Sequence, residues 1–307
     1  MAAAGSKHVV IAALLGNSLI AVTKFAAAAY TGSSAMLSEG IHSMVDTCNQ
    51  GLLLYGMKRA SRPADDNYPF GYTREIYFWA FVVAVMIFGV GAGAAVYEGV
   101  DKLRNPAPMK NAYINYIVLG AAFVFEAAAW WVAFREFKRR KGSLGYFEAV
   151  RKSKDPTVFT VLFEDTAAML GIIVAFVGIW LGQVTGAAWM DGAASVVIGV
   201  ILAVTAALLA YECKGLLVGE SAAKPVVESL RALARDHSDD ATVNELLTMQ
   251  LGPEDVLVTM SLDFASGLSA DDVERLVSEL ESKIKTAHPE VTRVFIEAQS
   301  FAAHFRP

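Results

Sequence analysis

Six long apolar stretches dominate the chain and leave few ways to fold it. They run over 8–30, 34–57, 77–102, 112–136, 157–183 and 187–214, each at or near the ~20 residues a helix needs to cross the hydrocarbon core of a bilayer. A helix satisfies its own backbone there, where water cannot. Of the 307 residues, 55% are hydrophobic and 19% charged. That balance suits a polytopic membrane protein with a modest soluble part, so membrane lipid is an expected partner. A net charge of −5 offers no handle for nucleic acid, and none is expected as a partner. Met1 to Lys7 is too short for a transit peptide, and the stretch that follows exceeds a signal-peptide core, so it is expected as the first membrane helix. Gly89, Gly91 and Gly93 are expected to allow tight helix contacts.

Lysine and arginine placement orients these helices. Lys58, Arg59, Arg62 and Arg74 follow the second stretch, and Lys138, Arg139, Arg140, Lys141, Arg151, Lys152 and Lys154 follow the fourth. The opposite side carries only Lys102, Arg104 and Lys110. Six crossings with both termini cytoplasmic follow, in what is expected to be a bacterial inner (plasma) membrane. From Gly219 the composition changes. Val226 to Ala234 has helical periodicity, Val243 to Leu251 and Val256 to Phe264 pattern as strands, and Gly252-Pro253-Glu254-Asp255 is a turn signal. Ser269-Ala-Asp-Asp272 opens a helix whose Val273, Leu276, Leu280 and Ile284 recur at helical spacing, and Val291 to Ala298 is a third strand. The expected fold is a six-helix transmembrane domain over 1–218 and a small cytoplasmic α+β domain, αββαβ, over 219–307.

The polar residues inside the apolar stretches carry the chemistry. Glu39, His42, Asp46 and Asn49 fall at i, i+3, i+7 and i+10 and form one stripe on the second helix. Ionisable groups at membrane depth are costly and mark functional sites. Imidazole and carboxylate one turn apart can share a bound atom, and together suit zinc and neighbouring divalent ions. Glu164 and Asp165 stand on the fifth helix and point about 100° apart, so one faces the site and the other a polar neighbour or proton path. Glu126, in mid-span of the fourth helix, is either a proton-relay carboxylate or a structural hydrogen-bond partner. Glu39 is expected to face an aqueous vestibule, Glu98 to reach water at the outer end of the third helix, and Asp191 to cap a helix near the interface. Cys48 and Cys213 form no CxxC pattern and are expected to be buried small apolar residues.

Ser38-Glu-Gly-Ile-His-Ser-Met-Val-Asp-Thr-Cys-Asn-Gln-Gly51, with Pro63-Ala-Asp-Asp-Asn-Tyr-Pro-Phe-Gly71-Tyr-Thr-Arg74 and Phe163-Glu-Asp-Thr-Ala167, resembles the cation diffusion facilitator family of divalent-metal/proton antiporters. It is most similar to the zinc transporter 9 branch, and the resemblance covers nearly the whole chain. It implies a metal site of His42, Asp46 and Asp165, with the fourth place open to Glu164, Asn49 or water, because Val161 stands where the family pattern has a further ligand. Glu126 and Glu39 are then proton-path or structural charges. The family's loop site would fall on Asp65, Tyr68 and Tyr72, and two tyrosines there argue against it. His237, His288 and His304 are expected as isolated histidines, with Glu297 on the last strand. The resemblance also implies a homodimer joined through the cytoplasmic domains and a charge contact at the membrane surface between Arg74 and Glu220.

The function expected is proton-coupled export of divalent transition-metal cations, zinc foremost, from the cytoplasm. Metal and protons are substrates, and no resident cofactor is expected. Carboxylates and neutral imidazole bind metal only when deprotonated, so the two compete for one site, with His42 as the natural proton carrier. Manganese, iron or cobalt export by the same mechanism, or a non-transporting metal sensor or scaffold, fits the same residues. An enzyme is not expected: no HExxH pattern accompanies the helices, and the soluble part has no room for a phosphorylated pump domain.

Overall fold

The computed structural model of the chain describes residues 2–106, 111–141, 145–146, 149–150, 153–237 and 239–304. Lys110, Arg151 and Lys152, counted above for orientation, lie outside the described residues. The chain divides into two compact units, Met1–Lys214 and Gly215–Pro307.

The first unit is helical throughout. Its helices are α1 (Ala2–Thr31), α2 (Ser34–Ala60), α3 (Glu75–Arg104), α4 (Ala112–Lys141), α5 (Pro156–Thr185) and α6 (Trp189–Val218, whose last residues belong to the second unit). Glu75–Arg104, Ala112–Arg139, Phe159–Thr185 and Trp189–Val218 are long and apolar enough to cross a membrane. α1 and α2, 30 and 27 residues long, have the length; the polar stripe of α2 dilutes its apolar character. A π-helical segment, Ile87–Ala92, interrupts α3 between two α-helical halves.

Tight packing in this unit falls at other glycines than the run in α3 suggests. Gly89 has open space where a side chain would stand, and Gly91 meets only Leu202. The close approach is instead between α3 and α6. A Cβ at Gly99 would come within 2.7 Å of the Val196 backbone nitrogen, and one at Gly199 within 3.0 Å of the Val96 nitrogen. Small residues at such crossings let backbones pack directly. Cys213 is buried as expected, but Cys48 is exposed on the outer face of α2, because the buried face of that helix belongs to the polar stripe.

The second unit follows the order α7 (Lys224–Arg235), β1 (Ala241–Gly252), β2 (Asp255–Phe264), α8 (Ala270–Ala287), β3 (Val291–Ala298) and a short α9 (Phe301–His304). β2 is central, antiparallel to β1 and parallel to β3. The parallel pairing needs a crossover, which α8 supplies. Leu230 of α7, Val258, Met260 and Leu262 of β2, and Leu280 and Ile284 of α8 form its core. α8 starts from a capping box in which Ser269 accepts from the Asp272 backbone and Asp272 accepts from the Ser269 backbone.

Candidate functional site

α2 begins at a turn where Gly32 takes φ +71°, a left-handed backbone that glycine adopts without strain. Ser33 caps the helix, its Oγ accepting from the Met36 backbone at 3.1 Å. Asp191, in the first turn of α6, completes the cap. Its carboxylate accepts from Ser33 Oγ and the Ser34 backbone, each at 2.7 Å, and from Ser34 Oγ at 3.0 Å. Asp191 therefore caps a helix, but that helix is α2 rather than its own. The carboxylate also complements the positive end of α2 and fixes its start against α6.

From that anchored start the stripe runs inward. Glu39, His42, Ser43, Asp46, Asn49 and Gln50 are all buried. His42 Nδ1 stands 3.4 Å from Asp46 Oδ1, close enough to attract but not aligned as a hydrogen bond. Both ring nitrogens of His42 and Oδ1 of Asp46 lack a hydrogen-bond partner within the protein. A buried polar atom left so costs about 1–3 kcal/mol.

Glu39 does not face an aqueous vestibule. It is fully buried, and its Oε2 accepts from Lys24 Nζ of α1 at 2.9 Å. The same ammonium donates to Ser43 Oγ at 2.9 Å. On its other side Glu39 reaches α5: a Cβ on Gly171 would run into its Oε1, so a larger residue there would require the carboxylate to move. Lys24 is a buried charge beside the stripe that the sequence patterns passed over. A signal for it exists, because Lys24 and Glu39 stand at nearly equal distances before and after the turn at Gly32, which sets them side by side in an α1–α2 hairpin.

α5 meets α2 through Glu164, whose Oε1 accepts from Asn49 Nδ2 at 2.9 Å. Asp165 is also buried, with Oδ2 unpartnered, and so is Glu126 of α4, with Oε1 unpartnered. Asp46 lies within electrostatic range of Glu164, Glu126 and Asp165. Adjacent Glu164 and Asp165 thus split as their helical geometry requires: one is tied to Asn49, the other keeps a free oxygen. Among the described residues, no three His, Cys, Asp or Glu side chains converge tightly enough to hold a metal ion as they stand. The structure brings His42 to Asp46 and Asn49 to Glu164, with Asp165 and Glu126 around them.

The other residues singled out from sequence have separate roles. Tyr72 donates to Asp65 Oδ2 at 2.6 Å, and the Tyr68 backbone donates to Oδ1 at 2.9 Å. These bonds, Tyr72's first, hold the Asp65 carboxyl below the usual carboxylate range. Asp65 is therefore a turn residue already supplied with donors. His237 contacts the Leu276 carbonyl and Lys283, His288 contacts Ser229, and His304 contacts Gln299. Arg74 belongs to the first unit and Glu220 to the second.

Ionisable side chains buried on helices of membrane-spanning length are costly and are kept mostly at functional positions. Residues 10–218 match the cation efflux transmembrane domain. Proton-coupled zinc antiporters named SLC30A9, mitochondrial, from Mus musculus and Homo sapiens are each 33% identical over 300 residues, covering 95% of this chain and 52% of those proteins. Metal tolerance protein C4 of Arabidopsis thaliana is 28% identical over 261 residues, covering 84% of this chain and 57% of that protein. The chain spans about half the length of these relatives. The domain match takes in α1 from residue 10 onward, the other five helices and the whole α2 stripe, so this chain belongs to the cation efflux family, whose members are transporters rather than enzymes.

Proposed function

We propose that the chain exports divalent transition-metal cations, zinc foremost, from the cytoplasm in exchange for protons. The observation that carries this reading is the buried His42–Asp46 pair, whose unpartnered atoms lie amid further carboxylates. The ion is held by His42, Asp46 and Asp165, with Glu164, Asn49 or water completing the set. The Asn49–Glu164 bond keeps α2 and α5 in register while Asp165 is drawn in. Each ligand binds metal only in its deprotonated form, so an ion loaded from the cytoplasm is displaced by protons once helix movement opens the site outward. Glu126, with an unpartnered oxygen beside the cluster, passes protons.

In this reading all six helices of the first unit cross a bacterial inner membrane, with both termini and the basic connections cytoplasmic. The division between membrane and cytoplasmic parts falls near residue 218. The protein works as a homodimer joined through the αββαβ domains, with Arg74 and Glu220 paired at the membrane surface. Exchanging those two charges restores transport lost in either single reversal if the pairing holds. The similarity to proteins named proton-coupled zinc antiporters supports both proton coupling and zinc.

The test is uptake into sealed vesicles carrying the full chain, with a pH gradient imposed and zinc, manganese, iron and cobalt offered in turn. Metal influx must require the gradient and fall by more than about tenfold in Asp165→Ala. Gradient-independent binding without flux would make the protein a sensor. Full transport by Asp165→Ala would remove α5 from the site.

A further inference from the structure

Lys24 is the only lysine or arginine buried among the described residues. Buried carboxylates on α2 and α4 lie within its electrostatic range: Glu39, Asp46 and Glu126. An ammonium in such a place is held by its partners or not at all, since burying a lone charge costs several kcal/mol. Its partners are Glu39 Oε2 and Ser43 Oγ, both at 2.9 Å. Glu39 and Ser43 stand three residues before His42 and Asp46 respectively, one helical turn away, so the ammonium sits against the same stretch of α2. Its field reaches His42, Asp46 and Glu126 as well as Glu39.

This placement has a consequence for the cargo. A divalent ion arriving at His42 and Asp46 meets the attraction of the carboxylates and, in the same low-dielectric interior, the repulsion of Lys24. Glu39 is held by the ammonium through Oε2, while its Oε1 fills the space that Gly171 of α5 leaves by having no side chain. We propose that Lys24 is a tethered counter-cation that sets how tightly the α2 site holds a divalent ion. It balances the carboxylates when the site is empty and opposes the ion when it is loaded, keeping affinity low enough for release. Lys24 is thus a charge-setting residue that binds no metal itself. The proposal rests on the assignment of His42 and Asp46 as ion-binding residues.

The test is Zn2+ binding by the full chain in detergent at fixed pH, with transport rates measured beside it. Lys24→Met binds Zn2+ about tenfold tighter and releases it more slowly, so that KM and turnover fall together. Glu39→Gln leaves the ammonium uncompensated and weakens binding by a similar factor. The double variant Lys24→Met/Glu39→Gln restores the charge balance and returns to within about threefold of the parent, and Lys24→Arg stays near it. A pair that serves only to join α1 to α2 predicts instead that both single variants shift affinity the same way. That result, or unchanged or weaker binding by Lys24→Met, overturns the proposal. If Lys24→Met does not give a monodisperse protein, Glu39→Gln decides, and unchanged or tighter binding there overturns it. A parent affinity that survives His42→Ala refutes the ion-site assignment itself.

Discussion

In Gly215–Pro307 the deeply buried positions belong to Leu230, Val258, Met260, Leu280 and Ile284, and a buried polar residue such as Gln250 donates to the Gly252 carbonyl. In Met1–Lys214 the most deeply buried face of α2 belongs to Glu39, His42, Asp46 and Asn49. All but one of the buried side-chain polar atoms without partners among the described residues lie in this unit; the exception is Asn244 Oδ1. The second unit is organised around an apolar core. The first holds a set of buried polar groups without protein partners, each of which calls for a water, an ion, a ligand or a functional role. Stability and function are therefore written in different residues, and substitutions can separate them.

The largest stability effect expected lies in the second unit. Ile284→Ala empties a fully buried position of its core and should cost about 3 kcal/mol, read as lost hydrogen-exchange protection along β2. Zinc affinity should not change, and a drop in affinity would break the separation. Gly171→Ala comes next. The added methyl overlaps Glu39 Oε1, and moving a carboxylate held by Lys24 should cost about 1–3 kcal/mol, seen as a lower thermal midpoint with slower transport. An unchanged midpoint and rate would show that the interior of the first unit yields more than its packing implies.

Ser269→Ala removes the capping box of α8 and should cost about 1 kcal/mol with transport intact. Tyr72→Phe has the smallest effect. Asp65 is ionised both folded and unfolded near neutrality, so its stabilisation is complete there and fades as pH falls through its lowered folded value. Losing the Tyr72 bond raises that value toward the unfolded one, so stability near neutrality should fall slightly and the acid-side decline should become shallower and end at higher pH. A midpoint profile indistinguishable from the parent's would remove Tyr72 as the cause of the Asp65 shift.

Much of the fold was legible because it rests on periodicity. The stretch 157–183 became Pro156–Thr185, and the strand pattern 243–251 became Ala241–Gly252. The α2 stripe was legible for the same reason, since helical spacing alone puts His42 over Asp46. What escaped depends on contacts between helices. Lys24 is one lysine in an apolar run, and only its tertiary neighbours Glu39 and Ser43 give it meaning. The vestibule expected for Glu39 failed with it, because the carboxylate already has a buried partner. Glycine spacing in α3 pointed to Gly89, whereas the crossing with α6 selected Gly99 and Gly199 by where the two helices meet.

The central claim is that the α2 pair is the place where zinc and protons exchange. It is tested most directly by following zinc and internal pH together in sealed vesicles bearing either the parent protein or His42→Ala/Asp46→Ala. The parent should move zinc against protons, and the double variant should move neither above the empty-vesicle rate. Zinc flux by the double variant at the parent's rate would contradict the account.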